Sequence, residues 1–313
     1  MNTTSSKLQE NLTAHYMSEQ DGFSFKEIHR LHSSKDGIVC CHFSSDGRFL
    51  AAAGHERKIH LWSMKGCDCI TIGELHSDLI TDIRFRPCSD IFATSSFDRT
   101  VKMWHANGIK QLFQFVGHTG KVTSIDFDPV NPDYFCSCDS TDEIRQWSIS
   151  ISSSRSVYKG ASRQVRFQPL TGGLLASASG NTINLFDVKT DKLIFSFEGH
   201  VNEVHSICWD KSGAYVASVS EDSARIWSLA SNGKCIHVLN SQGNRFGTGI
   251  FHPDHPLLLV VGSYQALQLW NPTTSDGTMS VTAHEDVISA LADCRETGVV
   301  ASAGKDEFVK IWK

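Results

Sequence analysis

Residues 76–104 read HSDLITDIRFRPCSDIFATSSFDRTVKMW. Apolar residues fall at Ile80, Ile83 and Phe85, then at Ile91 and Phe92, then at Val101 and Met103 before Trp104. RPCSD and SFDR separate these runs and have the composition of tight turns. The spacing predicts three short antiparallel strands. A histidine opens the stretch, the hydroxyls of Thr94, Ser95 and Ser96 sit in its middle strand, Asp98 lies in the second turn and Trp104 closes it. Folded together, His76 bridges a carboxylate and a hydroxyl while the indole N–H takes the remaining acceptor. Every buried polar group is then satisfied, with Ser95 as the expected hydroxyl.

The same pattern recurs down the chain. Closing aromatics stand at Trp62, Trp104, Trp147, Phe186, Trp227, Trp270 and Trp312, at intervals of 39 to 43 residues. His76, His118, His200 and His284 each precede an aliphatic residue by four positions. Turn-rich segments such as SSDG (44–47), DPVNPD (128–133) and DKSG (210–213) follow in register. A period near 42 with one aromatic closing each unit predicts an all-β, seven-bladed β-propeller over 23–313, one four-stranded blade per repeat. The sequence stops after the third strand of the seventh unit. Residues 23–31, FSFKEIHRL, are the unassigned strand, expected to complete that blade with Phe23, Phe25 and Ile28 on one side and so leave no open edge. Residues 1–22 are polar and aperiodic, and a mobile tail is expected there.

The net charge of −5 over 313 residues does not suggest a generally basic, nucleic-acid-binding surface. There is no apolar run of membrane-spanning length and no signal peptide at the start. Ten cysteines in a chain of this length, with nothing marking secretion, read as reduced thiols. Cys67/Cys69 and Cys136/Cys138 are C-x-C rather than C-x-x-C pairs and Cys40/Cys41 are adjacent, so small buried hydrophobes are expected rather than zinc ligands. No nucleophile elbow, Walker-type loop or H-E-x-x-H motif is present, and neither a cofactor nor a catalytic residue is expected. The pair His252 and His255 bracketing Pro-Asp is weak support for a metal on its own.

The Gly117-His118 and Gly199-His200 starts and the tryptophan ends resemble the WD-repeat family. The usual Asp after the Trp survives only as Phe186-Asp187. The expected structural network comprises His76, Ser95, Asp98, Trp104, His118, Trp147, His200, Asp222, Trp227, His284, Asp306 and Trp312. In the first unit Glu56 is a longer substitute, and in the third Thr141 stands at the turn position beside Asp142. Gly180 and Tyr264 lack the carboxylate and Ala161 replaces the histidine of the fourth unit, so the fourth and sixth blades are expected to be the most pliable.

A propeller offers two loop faces. Aligned on Asp98, one face places His55, Phe97, Ser140, Glu221 and Lys305 around the channel, with Arg163, Arg245 and Tyr264 nearby. Exposed aromatics and arginines around a concave opening are the residue types of protein-binding hot spots, and these eight form the candidate partner-binding ring. The polar loops 148–156 and 271–278 belong to the opposite face.

Longer strings narrow the resemblance: CCHFSSDGRFLAAAGHERK (40–58), ATSSFDRTVKMW (93–104), CSCDSTDEIRQWSI (136–149), QVRFQP (164–169) and YQALQLWN (264–271). Together they resemble the propeller of the LEUNIG-type plant transcriptional co-repressors, related in architecture to Groucho and Tup. That resemblance implies a non-enzymatic nuclear scaffold that binds transcription factors, co-repressor or adaptor subunits, with no direct nucleic-acid or membrane contact. That family also carries an N-terminal dimerisation region and a glutamine-rich linker. This chain opens almost directly on the repeats, and an isolated monomeric propeller is expected. A substrate receptor of a ubiquitin ligase is the alternative, for which only Phe186-Asp187-Val188-Lys189 approaches the W-D-x-R signal. An enzyme on a propeller scaffold is a third reading; the channel ring offers it no paired acid and base.

Overall fold

A computed structural model describes residues 24–33, 36–73, 75–108, 110–273 and 278–313. Among them the regular elements are all β-strands, arranged as seven four-stranded antiparallel sheets. The first blade runs outward from the channel as Ile38–Phe43, Phe49–Gly54, Ile59–Ser63 and Asp68–Ile72. Five more blades follow in sequence over 80–116, 122–159, 164–197, 204–240 and 248–282. Burial follows position within a blade. Second strands such as Ile91–Ser96 are almost wholly buried, because a sheet lies on each side, whereas outer strands such as Ser153–Lys159 alternate exposed and half-buried.

The seventh blade is Ile288–Cys294, Val299–Gly304 and Phe308–Trp312, completed by Glu27–His32 from the start of the repeats. Arg30 pairs with Lys310 and Leu31 with Val309, and Lys26 and Lys313 exchange backbone hydrogen bonds at 2.8 and 3.0 Å. Phe25 stacks on Trp312 with centroids 5.6 Å apart, and Phe25 and Leu31 are both buried. The closing strand thus begins four residues later than expected. Phe25 is packed by the segment leading into it, and Ile28 faces solvent at 45 % exposure. Phe23 and the 1–22 segment lie outside the described residues.

Adjacent blades are stitched at their innermost strands by side chains crossing the channel wall. Thr81 donates to the Val122 carbonyl at 2.9 Å, and the Ser289 hydroxyl donates to the Ile38 carbonyl at 2.5 Å. The fourth blade, which has Ala161 and Phe186 in place of histidine and tryptophan, has a stronger tie. Arg166 is buried and its Nη1 donates to Asp82 Oδ2 (3.1 Å), Ser124 Oγ (2.9 Å) and the Ile125 carbonyl (3.2 Å), reaching the second and third blades. Five cysteines are buried, but Cys69 and Cys88 are exposed, so the reading of all ten as core residues fails at the outer strand and at a turn.

Candidate protein-binding channel mouth

Among the described residues the His–hydroxyl–Trp network forms in four blades, the second, third, fifth and seventh. In the second, His76 Nδ1 lies 2.8 Å from Asp98 Oδ2, and its Nε2 lies 2.8 Å from Thr94 Oγ1, which accepts from Trp104 Nε1 at 2.9 Å. With Asp98 ionised, one neutral tautomer satisfies every group: Nδ1–H donates to the carboxylate, and the threonine hydroxyl donates to Nε2. Thr94, not Ser95, supplies the hydroxyl. Side chains alternate along a strand, and Ser95 points the other way, to Thr81 at 2.8 Å.

The third blade repeats the chain with Trp147 and Ser137 (2.8 Å) and His118 and Ser137 (2.6 Å). Its carboxylate is Asp139, 2.9 Å from His118 Nδ1, and not Thr141 or Asp142. Asp139 ends the second strand instead of standing in the turn, and its other oxygen accepts from Thr141 N and Oγ1 at 2.8 and 2.7 Å. In the seventh blade His284 meets Asp306 and Ser302, each at 2.7 Å, and Trp312 donates to Ser302 at 2.9 Å.

The fifth blade is looser. Trp227 follows its hydroxyl partner Ser218 by nine residues instead of the ten in the other three. The shortened turn leaves Asp222 Oδ1 3.9 Å from His200 Nδ1, and Ser223 Oγ bridges the gap at 3.2 Å to the ring and 2.7 Å to Asp222 Oδ2.

Burial pulls the Asp98 carboxyl upward, but hydrogen bonds from His76 and Thr100 outweigh it and hold it well below the usual carboxylate range. The same balance, with Thr141 the leading donor, brings Asp139 to about 2. Burial lowers His118 and His284 against the pull of their carboxylates, and takes His200 down to about 4. His118, Asp139 and Glu143 present ligand-type atoms within 4.8 Å of one another. Both His118 nitrogens are already hydrogen-bonded, however, and Glu143 accepts from Arg145 Nε at 2.5 Å. These atoms form a hydrogen-bonded network within the blade, not an open metal site.

These networks fix the ends of the strands from which the channel-face loops emerge. The central cavity has a volume of about 1150 Å³, and His55, Phe97, Arg163, Glu221, Arg245, Tyr264 and Lys305 line it together. Ser140 does not; its hydroxyl accepts from Lys121 N at 3.1 Å beside the mouth. Tyr264 is 57 % exposed, Arg163, Arg245 and Lys305 are exposed, and Phe97 is half-buried with Lys121 Nζ 4.5 Å above its ring. The sequence reading missed Lys121 and His205, a half-buried imidazole in the lining whose pKa is lowered by burial and then by Arg163. Deeper in the channel Asp82, Arg84, Asp126 and Arg166 form a charge cluster in which burial raises Asp126 while Arg166 and Arg84 oppose it.

The WD domain, G-beta repeat description matches residues 25–63, 67–105, 109–148, 191–228 and 275–313, more than half of the chain. The chain belongs to the WD-repeat family. The stretches that this description leaves out hold most of the fourth and sixth blades, which depart from the His–hydroxyl–Trp pattern. The WD-repeat chain is 50 % identical over 293 residues to the transcriptional corepressor LEUNIG_HOMOLOG of Arabidopsis thaliana, covering 93 % of this chain and 37 % of that protein. It is 24 % identical to pre-mRNA-processing factor 19 homolog 2 of the same plant, covering 88 % of this chain and 52 % of the other. To the nuclear distribution protein PAC1 of Arthroderma otae it is 27 % identical, covering 76 % and 54 %. It thus spans between about a third and just over half of the length of these relatives. None of these matches supports the ligase-receptor alternative, and Asp187 is engaged in its own turn by Lys189 N and by Thr190 N and Oγ1.

Proposed function

We propose that this propeller is a non-enzymatic interaction domain of the co-repressor type that works in the nucleus. It holds a short segment of a transcription factor or of the repression machinery across the channel mouth. The observation that carries this reading is the 50 % identity to a transcriptional corepressor along 293 residues, 93 % of the chain. The chemistry of the mouth supports it. Among the seven ring residues that line the cavity, the cations Arg163, Arg245 and Lys305 outnumber the one carboxylate, Glu221, on a chain whose net charge is −5. Asp82 and Asp126 lie deeper, beside Arg84 and Arg166. A local cationic rim favours a segment carrying acidic or carbonyl groups, for which the arginines supply planar donor pairs. Tyr264 and Phe97 offer the apolar anchors. Nucleic acid is not the partner in this reading.

The test is affinity capture on the purified chain from nuclear extract, with mass spectrometry, run in parallel for wild type and Arg245→Ala. Transcription factors or co-repressor subunits retained by the first and depleted on the second are the expected result. Recovery of ligase adaptor subunits, or of no regulatory protein, would overturn it.

A further inference from the structure

Each blade ends in an outer strand with one edge facing solvent, and proteins blunt such edges with charge, proline or short length. The fourth blade does so least. Its outer strand, Lys192–Phe197, reads KLIFSF, and Leu193, Ile194 and Phe195 are 53, 42 and 36 % exposed. A bulge in its pairing with Thr182–Asp187 falls at Ile194. It breaks the alternation, so three successive apolar side chains reach solvent where the pleat would expose every second one. The charges at its ends are of opposite sign and symmetrically placed. Lys192 and Glu198 each stand three residues from Phe195, both are exposed, and neither has an ion-pair partner among the described residues. No other outer strand combines these features. Lys110–Val116 and Lys234–Asn240 have a lysine at one end and no acid at the other, and Thr278–Thr282 carries no charge.

We infer that this edge is a self-association surface whose occupant is a second copy of the same strand, antiparallel across a twofold axis at Phe195. An isologous contact requires a patch complementary to itself. With the axis at Phe195, Lys192 faces Glu198 of the second copy at both ends, Leu193 faces Phe197, and the exposed apolar run is covered. The contact is independent of the channel mouth, and it departs from the monomer expected from the sequence.

The experiment is sedimentation equilibrium on the full chain over about 1–100 µM, a span that reads micromolar association. The weight-average mass should rise from 34.6 kDa toward twice that value. Lys192→Glu and Glu198→Lys each place two like-charge pairs across the axis, and each should weaken association by about tenfold. The double variant K192E/E198K restores both pairs and should recover the wild-type constant, while Ile194→Lys should be monomeric. Thermal melts by circular dichroism establish that all four remain folded. A wild-type mass of 34.6 kDa throughout would overturn the inference, as would a double variant no tighter than the singles.

Discussion

A buried imidazole joined to a carboxylate and a hydroxyl costs most when one partner is removed and the other two stay behind. Asp98→Ala removes the acceptor of His76 Nδ1 and of the Ser77 and Thr100 amides. The buried His76 should carry most of the cost, about 1–3 kcal/mol, because water can reach the exposed Ser77 amide. A double-mutant cycle of Asp98 with His76, followed by urea unfolding, should show coupling of about 1 kcal/mol or more. The cycle of Asp222 with His200 should show clearly less, because Ser223 mediates that contact. Thr94→Ala should cost more than Ser95→Ala, since Thr94 serves both His76 and Trp104. The pH dependence has a definite sign. His200, lowered to about 4 by burial, binds fewer protons folded than unfolded, so its contribution is complete above its unfolded value and lost as pH falls toward 4. Asp139, held near 2, adds stability that is lost on further descent from the ordinary aspartate range. Unfolding free energy measured by denaturant should therefore be near its maximum around pH 7–8 and fall below about pH 6.5. It should fall again above about pH 8.5, where burial holds the Cys41, Cys138 and Cys208 thiols protonated up to about 12 in the fold while the unfolded chain lets them ionise. A histidine, a hydroxyl-rich strand and a tryptophan at fixed spacing were legible in the sequence. Which hydroxyl was not, because Thr94, Ser95 and Ser96 are all competent and strand parity decides. The ten residues from Thr94 to Trp104, repeated from Ser137 to Trp147, carry that information. Asp139 was hidden because it reaches His118 from the end of a strand and not from the turn.

The closing strand is held by its backbone ladder and by two buried side chains. Phe25→Ala should cost about 3 kcal/mol, since it removes the ring stacked on Trp312. Deleting 1–31 should lower the melting temperature sharply and deleting 1–20 only slightly; equal melting of the two truncations would contradict the closure. The need for this strand could be read from a count of strands. Its start could not, because Phe25 is buried in the lead-in segment and the alternating pattern there continues past the ladder. The fourth blade also has a support that the repeat pattern does not show. Arg166 ties it to Asp82, two blades away, a contact that no repeat pattern encodes. Arg166→Met should destabilise by about 3 kcal/mol, because it leaves buried carboxylates short of a cation. Arg48→Ala, which removes exposed ion pairs with Asp46 and Asp90, should leave the urea midpoint nearly unchanged.

At the scale of the whole molecule, seven similar blades make a ring around one channel. The repeat period gives the blade number, and of the five ring residues aligned on the Asp98 turn, His55, Phe97, Glu221 and Lys305 line the cavity, together with Arg163, Arg245 and Tyr264 expected nearby. Ser140 fell outside because the third blade takes its carboxylate from Asp139, and Ser140 hydrogen-bonds to Lys121 beside the mouth instead. His205 and Lys121 were not legible because they enter from the neighbouring blade's first strand and the loop before it. The channel mouth as the partner site is tested most directly by calorimetric titration of a captured partner segment against Phe97→Ala, Arg245→Ala and the opposite-face control Arg155→Ala, all matched for stability. The expected result is a loss of about thirtyfold in affinity, roughly 2 kcal/mol, for each ring variant and wild-type binding for the control. Ring variants that bind as wild type beside a weakened Arg155→Ala would place the partner on the other face and contradict the site.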